Sequence, residues 1–369
     1  MKKLRITLIL FIVFSSLTMK GSACSISLLG NDQKTLIARN MDWPEPTGMV
    51  LKNLSGIEKT AMLSPDGSTP YTWTSSYGSI TFDLVVETRS YGELSAPGCG
   101  LNEAGFYAAT LFVDPPKYPG PGSKPFLSCI EVARVLLDTC SNVSEALSKF
   151  NEFGITGLVI DDELSCDMHW FLADKEGNCA IVEFPPENSG TISVNYPGKK
   201  CMTNDYYGPS YANLARYQGF GGTLPIPSDE HKRTSDVRFV RDVYFSEEVM
   251  AKEDISKDDG FFVMGKVAQT EGTKGSDSPT DWTIVYDLKG LNLSWTAVNN
   301  ELRRDIDLTR LDFSSSEKVT SMDIQSSGSG DVTSNFGEKT EGTSSGCNVG
   351  ATSSTLALLL VPLVFMGKR

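Results

Sequence analysis

A short apolar leader ends on "GSACSISL", and the cysteine in that stretch constrains this chain more than any other residue. Lys2, Lys3 and Arg5 precede the apolar run Ile6 to Phe14, and Gly21, Ser22 and Ala23 put small residues just before Cys24. That order is the pattern of an export signal, residues 1–23, cut between Ala23 and Cys24. The apolar run is too short to span a bilayer, so it does not read as an anchor. After such a cut Cys24 is the first residue. Cys24, Ile26 and Leu28 then alternate with Ser25 and Ser27, the period of a half-buried strand. The folded domain must therefore begin on a strand whose first side chain is a thiol. Such a cysteine has two chemical fates: it carries lipid as an anchor, or it keeps a free amine beside its own thiol. Gly21 stands where a lipoprotein signal places Leu or a similar residue, which favours the second fate. The rival reading is a non-catalytic binding protein tethered through Cys24.

A free α-amine titrates near ~7.7–8.0, so much of it is a neutral base at working pH. One residue can then supply both nucleophile and general base. Few other bases are on offer. His169 lies in "DMHWFLAD" and reads as a core histidine, and His231 lies in the polar "SDEHKRTSD" and reads as solvated loop. No GxSxG elbow occurs, and "PGPGSK" lacks the spacing of a phosphate loop. The eight cysteines form no CxxC, and no histidine or acidic cluster has zinc spacing, so neither a metal nor another cofactor is expected. In an oxidising compartment Cys99, Cys129, Cys140, Cys166, Cys179 and Cys201 could form up to three disulfides. Their connectivity is not readable from sequence. The net charge of −13 lacks the basic surface that nucleic acid requires.

Strand and helix signals come in separate blocks. "CSISLL", the turn "GNDQK" and "TLIARNM" (35–41) predict an opening β-hairpin. "GSITFDLVVET" (78–88) and "GFYAATLFV" (105–113) predict further strands, with "GCGLNEAG" as the turn before the latter. "SCIEVARVLLDTC" (128–140) has helical spacing, and "NVSEALSKF" a second helix capped by Asn142 and Glu145. Two more hairpins follow, "HWFLAD" with "CAIVEF" and "WTIVYDL" with "LNLSW". Segregated blocks predict an α+β fold of packed layers instead of alternating βαβ units.

After Phe313 the composition changes: of the 33 residues from Ser314 to Gly346, 19 are Ser, Thr or Gly. The segment 313–346 therefore reads as a flexible linker. Residues 347–369 follow, with Cys347, the apolar stretch Leu356 to Met366 and a basic end. They resemble a C-terminal sorting tail that would attach the protein to the envelope.

The second strand carries "ARNMDW", with Arg39 and Asp42. A carboxylate can hold an α-amine, and a guanidinium can favour a thiolate. In an ideal strand positions 39 and 42 face opposite sides, so both serve Cys24 only if the strand bends or ends near Met41. Spacing alone reads as a surface ion pair.

The Cys24 start, "ARNMDW", "GLNEAGFYAATLF", "MHWFLADKEGNCAIVEF", "MTND" and "DVRFVRD" occur in an order that resembles the choloylglycine hydrolase and penicillin V acylase family. The resemblance runs from Cys24 to about Asp312. It implies an N-terminal-nucleophile hydrolase of four-layer αββα sandwich fold, residues 24–312, that cuts linear amides without a cofactor. It also implies roles: Cys24 as nucleophile, Asp42 as the holder of its amine, and Arg39 beside the thiol. Asn204 in "CMTND" resembles the oxyanion asparagine, and Arg238 in "VRF" a second arginine near the nucleophile. Phe112 stands where relatives have Asn or Tyr beside the oxyanion site, and with Trp43 it implies an aromatic substrate pocket. The interval from Asn204 to Arg238 is short for an assembly hairpin, which puts a tetramer in doubt and leaves the homo-oligomeric state open. The export signal and Trp43 resemble the exported branch, active in the periplasm or at the cell surface. The expected partner is a small amide: a phenoxyacetyl β-lactam, a conjugated bile salt or an acyl-homoserine lactone.

Overall fold

Cys24–Gly30 and Thr35–Asp42 pair antiparallel as the expected hairpin, Cys24 lying opposite Met41. The computed structural model describes residues 24–43, 48–62, 67–89, 92–113, 115–161, 164–229, 234–269 and 279–339. The leader, His231, Cys347 and the C-terminal apolar run lie outside the described residues.

Two antiparallel sheets face each other. The first orders Cys201–Met202, Cys24–Gly30, Thr35–Asp42, Thr280–Asp287, Asn292–Ala297 and Asn300–Asp307, with Gly330–Asp331 joined in parallel at its edge. The second orders Ser193–Asn195, Cys179–Glu183, Met168–Asp174, Phe106–Phe112, Gly92–Asn102, Ser79–Thr88, Met49–Asn53 and Thr320–Asp323. Their inner faces form one apolar core that includes Ile26, Ile37, Phe82, Phe171, Trp282 and Trp295. Helices Ser235–Met250 and Lys257–Val267 cover the outer face of the first sheet, where Leu36, Ala38, Val263 and Val285 meet. Val132–Thr139 and Val143–Lys149 cover the second through Leu136, Ala146, Trp170 and Val182. Helix, sheet, sheet, helix is the four-layer αββα sandwich expected from the resemblance. The layering follows from period: strands offer alternate residues to two faces, and both faces must be covered when both are apolar.

The first strand departs from expectation. It reads as half-buried, yet Ser25 and Ser27 are as buried as Ile26. Its polar face meets the helix Ser235–Met250 instead of water. Arg238 Nε donates to Ser25 Oγ (3.3 Å), Ser27 Oγ donates to Asp242, and Ser246 Oγ donates to Asp242 Oδ1 (3.2 Å). The match is geometric: four helical residues rise about 6 Å and two strand residues about 6.6 Å. A polar ladder with these spacings locks helix to strand.

Two further expectations change. Gly98–Asn102 of "GCGLNEAG" belongs to the strand Gly92–Asn102, and only Glu103–Gly105 turns, with Gly105 at φ +86°. The glycines there serve close approach, since a Cβ at Gly100 would lie 2.6 Å from Thr81 Cγ2 and 2.8 Å from Leu137 Cδ1. The expected linker is folded as far as Lys339. Thr320–Asp323 pairs with Met49–Asn53, and Phe313, Ile324 and Phe336 are buried in the inter-sheet core. Composition misled because a strand that joins an existing sheet borrows its core and needs few apolar residues of its own. His169 is the buried core histidine its strand suggested, with Nδ1 3.1 Å from Glu183 Oε1. The seven described cysteines are buried free thiols.

A chain ending at Asp312 should therefore lose Phe313, Ile324 and Phe336, each worth about 1.5–3 kcal/mol of burial. Against a typical total of about 5–15 kcal/mol, that chain should melt well below one ending at Lys339, measured by differential scanning calorimetry. Equal melting temperatures would show that the segment only decorates the sheet. The helix ladder makes a separate prediction. Burial pushes the Asp242 carboxyl up to about 7, against hydrogen bonds from Ser27, Ser246 and Cys201 and the charge of Arg238. The native state thus holds a proton that the unfolded chain releases near the ordinary carboxyl value of 3.8. The associated stability is full below that value and is lost as pH rises toward about 7. Asp242→Asn should accordingly gain on the wild type between pH 5 and pH 8, on the order of 5 °C in melting temperature.

Candidate active site

Three strands and one helix meet at residue 24. The antiparallel register of Cys24–Gly30 with Cys201–Met202 pairs Ile26 with Met202. Carried two residues further, that register puts Asn204 opposite Cys24. The Cys24 N–H donates to Asn204 Oδ1 at 2.6 Å. In the full chain this nitrogen is a peptide N–H; once residues 1–23 are removed it is the α-amine. Arg238 donates to the same oxygen at 2.7 Å, so two donors fix the orientation of the amide. The amide nitrogen donates to Phe112 O at 2.9 Å.

The sulfur side is built by the inner face of the second strand. Arg39 is fully buried, with its guanidinium 4.0 Å from Cys24 Sγ. It also donates to Thr110 O (3.0 Å) and to Gly98 O across the inter-sheet core. The Met41 sulfur lies 3.5 Å from the Cys24 sulfur. Gly98 leaves room for this cluster, since a Cβ there would stand 2.8 Å from Met41 Cε. Burial raises the Cys24 thiol, and the charges of Arg39 and Arg238 together with the Asp42 backbone N–H pull it back only in part.

Asp42 ends the second strand and is fully buried. As alternation requires, it lies on the face opposite Arg39, toward the helices. Its Oδ1 accepts from Thr280 Oγ1 (2.5 Å) and its Oδ2 from Gln269 Nε2 (2.8 Å). Burial pushes its carboxyl up to about 6, opposed by Arg238, those two hydrogen bonds and Arg39. The opposite faces expected from spacing are what is found: the Cys24 nitrogen donates to Asn204 Oδ1, and the two Asp42 oxygens are taken by Thr280 and Gln269. Asp42 reaches the sulfur through its backbone, while its carboxylate shares the buried side with Arg238. Arg238 is no helix surface charge; it is 1% exposed.

Trp43 and Phe112 stack with ring centroids 5.8 Å apart and planes 26° from parallel. All seven residues proposed from the sequence thus gather around one strand start. Sequence reasoning missed Gln269 and Thr280, which bracket residues 270–278 and carry no motif. It missed Ser25, Met41 and Gly98 as well. Of these only Ser25 had a signal, since a serine at the second position of a buried strand asks for a polar partner.

This geometry can be set beside known proteins. The family model for linear amide C–N hydrolases, choloylglycine hydrolase family, matches residues 23–321. A penicillin V acylase from Agrobacterium tumefaciens is similar at 25% identity and a TM-score of 0.70, over 86% of this chain and 97% of that one. A conjugated bile acid hydrolase from Clostridium perfringens shares the fold in two variant structures, at 16% and 15% identity. Each gives a TM-score of 0.66 over 81% of this chain and 96% of that one. No curated protein sequence matches the chain. With a family match across most of its length and the layered fold to go with it, this chain belongs to the choloylglycine hydrolase family and is an amidase of linear carbon–nitrogen bonds.

Proposed function

We propose that the mature chain begins at Cys24, uses it as an N-terminal nucleophile, and hydrolyses amides of the penicillin V type. One observation carries the reading. The thiol, the nitrogen that becomes its amine, a buried guanidinium and a doubly anchored asparagine converge at a single strand start.

The chemistry follows from those groups. The neutral α-amine takes the Cys24 thiol proton as sulfur attacks the amide carbon, and a tetrahedral oxyanion forms. Arg39 favours the sulfur's anionic character as its proton leaves. Asn204 has two amide N–H groups; one is donated to Phe112 O, and the second is the donor for the oxyanion. Such a donor is worth about 2.7–4 kcal/mol in the transition state. The α-ammonium then returns its proton to the departing amine, leaving a thioester. Water, deprotonated by the same amine, clears it and restores the thiol. Asp42 and Arg238 act by holding the amine and Asn204 in place.

The substrate reading rests on Trp43 and Phe112 together with the likeness to the Agrobacterium enzyme. Stacked aromatic rings favour flat apolar acyl groups through area burial at about 25 cal/mol per Å². Phe112 offers no hydrogen-bond partner to the hydroxyls of a steroid, and Trp43 only its single indole N–H. Export, with removal of residues 1–23 and action in the periplasm or at the cell surface, completes the proposal.

Cys24→Ala should abolish turnover with little loss of stability, and Asn204→Ala should lower kcat by roughly 10²-fold with a modest change in KM. Intact mass of the exported protein should show an unmodified Cys24 terminus; diacylglycerol on that residue would restore the tethered, non-catalytic reading of the terminus. The kcat/KM of the same preparation should be higher for phenoxymethylpenicillin than for glycocholate. A preference for conjugated bile salts would overturn the substrate assignment and leave the cysteine mechanism standing.

A further inference from the structure

Asp42 is held by two residues that belong to neither the hairpin nor the helix carrying Arg238. Gln269 follows the helix Lys257–Val267, and Thr280 begins the strand Thr280–Asp287. They bond to each other as a closed pair. Thr280 N donates to Gln269 O (2.8 Å), and Gln269 N donates to Thr280 Oγ1 (2.8 Å). This second bond matters for the hydroxyl. With its oxygen already accepting from a backbone N–H, its own proton is directed at Asp42 Oδ1, 2.5 Å away. The Gln269 side chain then closes over the other oxygen at 2.8 Å. Gln269 is only 3% exposed, so water does not replace it.

A bulge makes the pairing happen. Trp282 pairs with Met41, and an unbroken antiparallel register would place Thr280 opposite Trp43. The register shifts between Thr280 and Trp282, so that Thr280 stands opposite Asp42. The extra residue, Asp281, turns to Gln325 Nε2 at 2.6 Å. One inserted residue therefore re-aims a hydroxyl from an aromatic side chain to a carboxylate, a recurrent use of bulges beside functional sites.

We propose that Gln269 and Thr280 are positioning residues of the hydrolase, a two-donor clamp that holds the Asp42 carboxylate in its working orientation and charge for the Cys24 amine. Neither touches substrate. The proposal rests on the role given to Asp42 above. Without the clamp, the groups facing Asp42 are Arg238 from the outer helix, Arg39 on its own strand and Cys24 on the neighbouring one. Burial in that setting favours the protonated carboxyl, and the two donated hydrogen bonds oppose it.

The experiment is the pH dependence of kcat/KM for the mature enzyme on phenoxymethylpenicillin, or on whichever amide it turns over. Wild type should show an acid step near the value of about 6 to which the Asp42 carboxyl is pushed, below the separate step that protonation of the α-amine gives near ~7.7–8.0. Thr280→Val and Gln269→Met each remove one donor at nearly constant volume, and each should move the lower step up by roughly half to one pH unit. Thr280→Ser keeps the hydroxyl and should restore the wild-type profile, which a merely structural role for the side chain would not require. Lower steps unchanged in both the Val and the Met variants, folded by near-ultraviolet circular dichroism, would overturn the clamp. Asp42→Asn separates the two layers of argument. A step near about 6 that persists there refutes the role of Asp42 itself. A step that vanishes there yet stays put in the clamp variants refutes only the inference drawn here.

Discussion

Everything at this site depends on one shared acceptor, the side-chain oxygen of Asn204. It takes the N–H of Cys24 at 2.6 Å and the guanidinium of Arg238 at 2.7 Å. A buried guanidinium is tolerated only when its donors are met and its charge is compensated. Here Ser25, Asn204 and the nearby Asp42 carboxylate meet those needs, and each lies on a different element. Satisfying Arg238 therefore draws the first strand, the loop after Cys201–Met202 and the end of the second strand to a single point. The position of Cys24 follows from the burial of a cation.

The same logic explains why the site sits at the start of the chain's first strand. Strands to either side of Cys24–Gly30 supply Met41 by register and Asn204 by register, and the helix behind it supplies Arg238. Only the end of a strand combines regular pairing with access for a leaving group. A cysteine in the middle of that strand would have its backbone nitrogen consumed by the ladder. At the head of the strand, the nitrogen would remain a chemical group if the chain began at Cys24, as proposed.

The mature fold also reaches further along the chain than its composition suggests. Residues 320–323 extend the second sheet, residues 330–331 extend the first, and Phe336 closes the core between them. Gln325 from this segment holds Asp281, the residue inserted at the bulge beside Asp42. The segment 320–336 is thus part of the scaffold behind the Asp42 carboxylate.

The sequence by itself determined the opening hairpin, the separation of strand blocks from helices and the later hairpins, and it singled out Cys24; the six residues gathered around Cys24 came from the family resemblance. The elements were legible because alternation, helical spacing and turn chemistry are local, whereas spacing alone read Arg39 and Asp42 as a surface ion pair. Only the tertiary structure decided which face of the first strand is dry, that Ser25 and Ser27 bind a helix, and that Gly98–Asn102 is strand. It alone brought Gln269 and Thr280 onto Asp42 and folded the Ser- and Gly-rich segment onto the sheets. The reason is common to all of these: each depends on a partner far away in the chain, and local composition cannot report whether a polar group will be met by water or by a distant side chain.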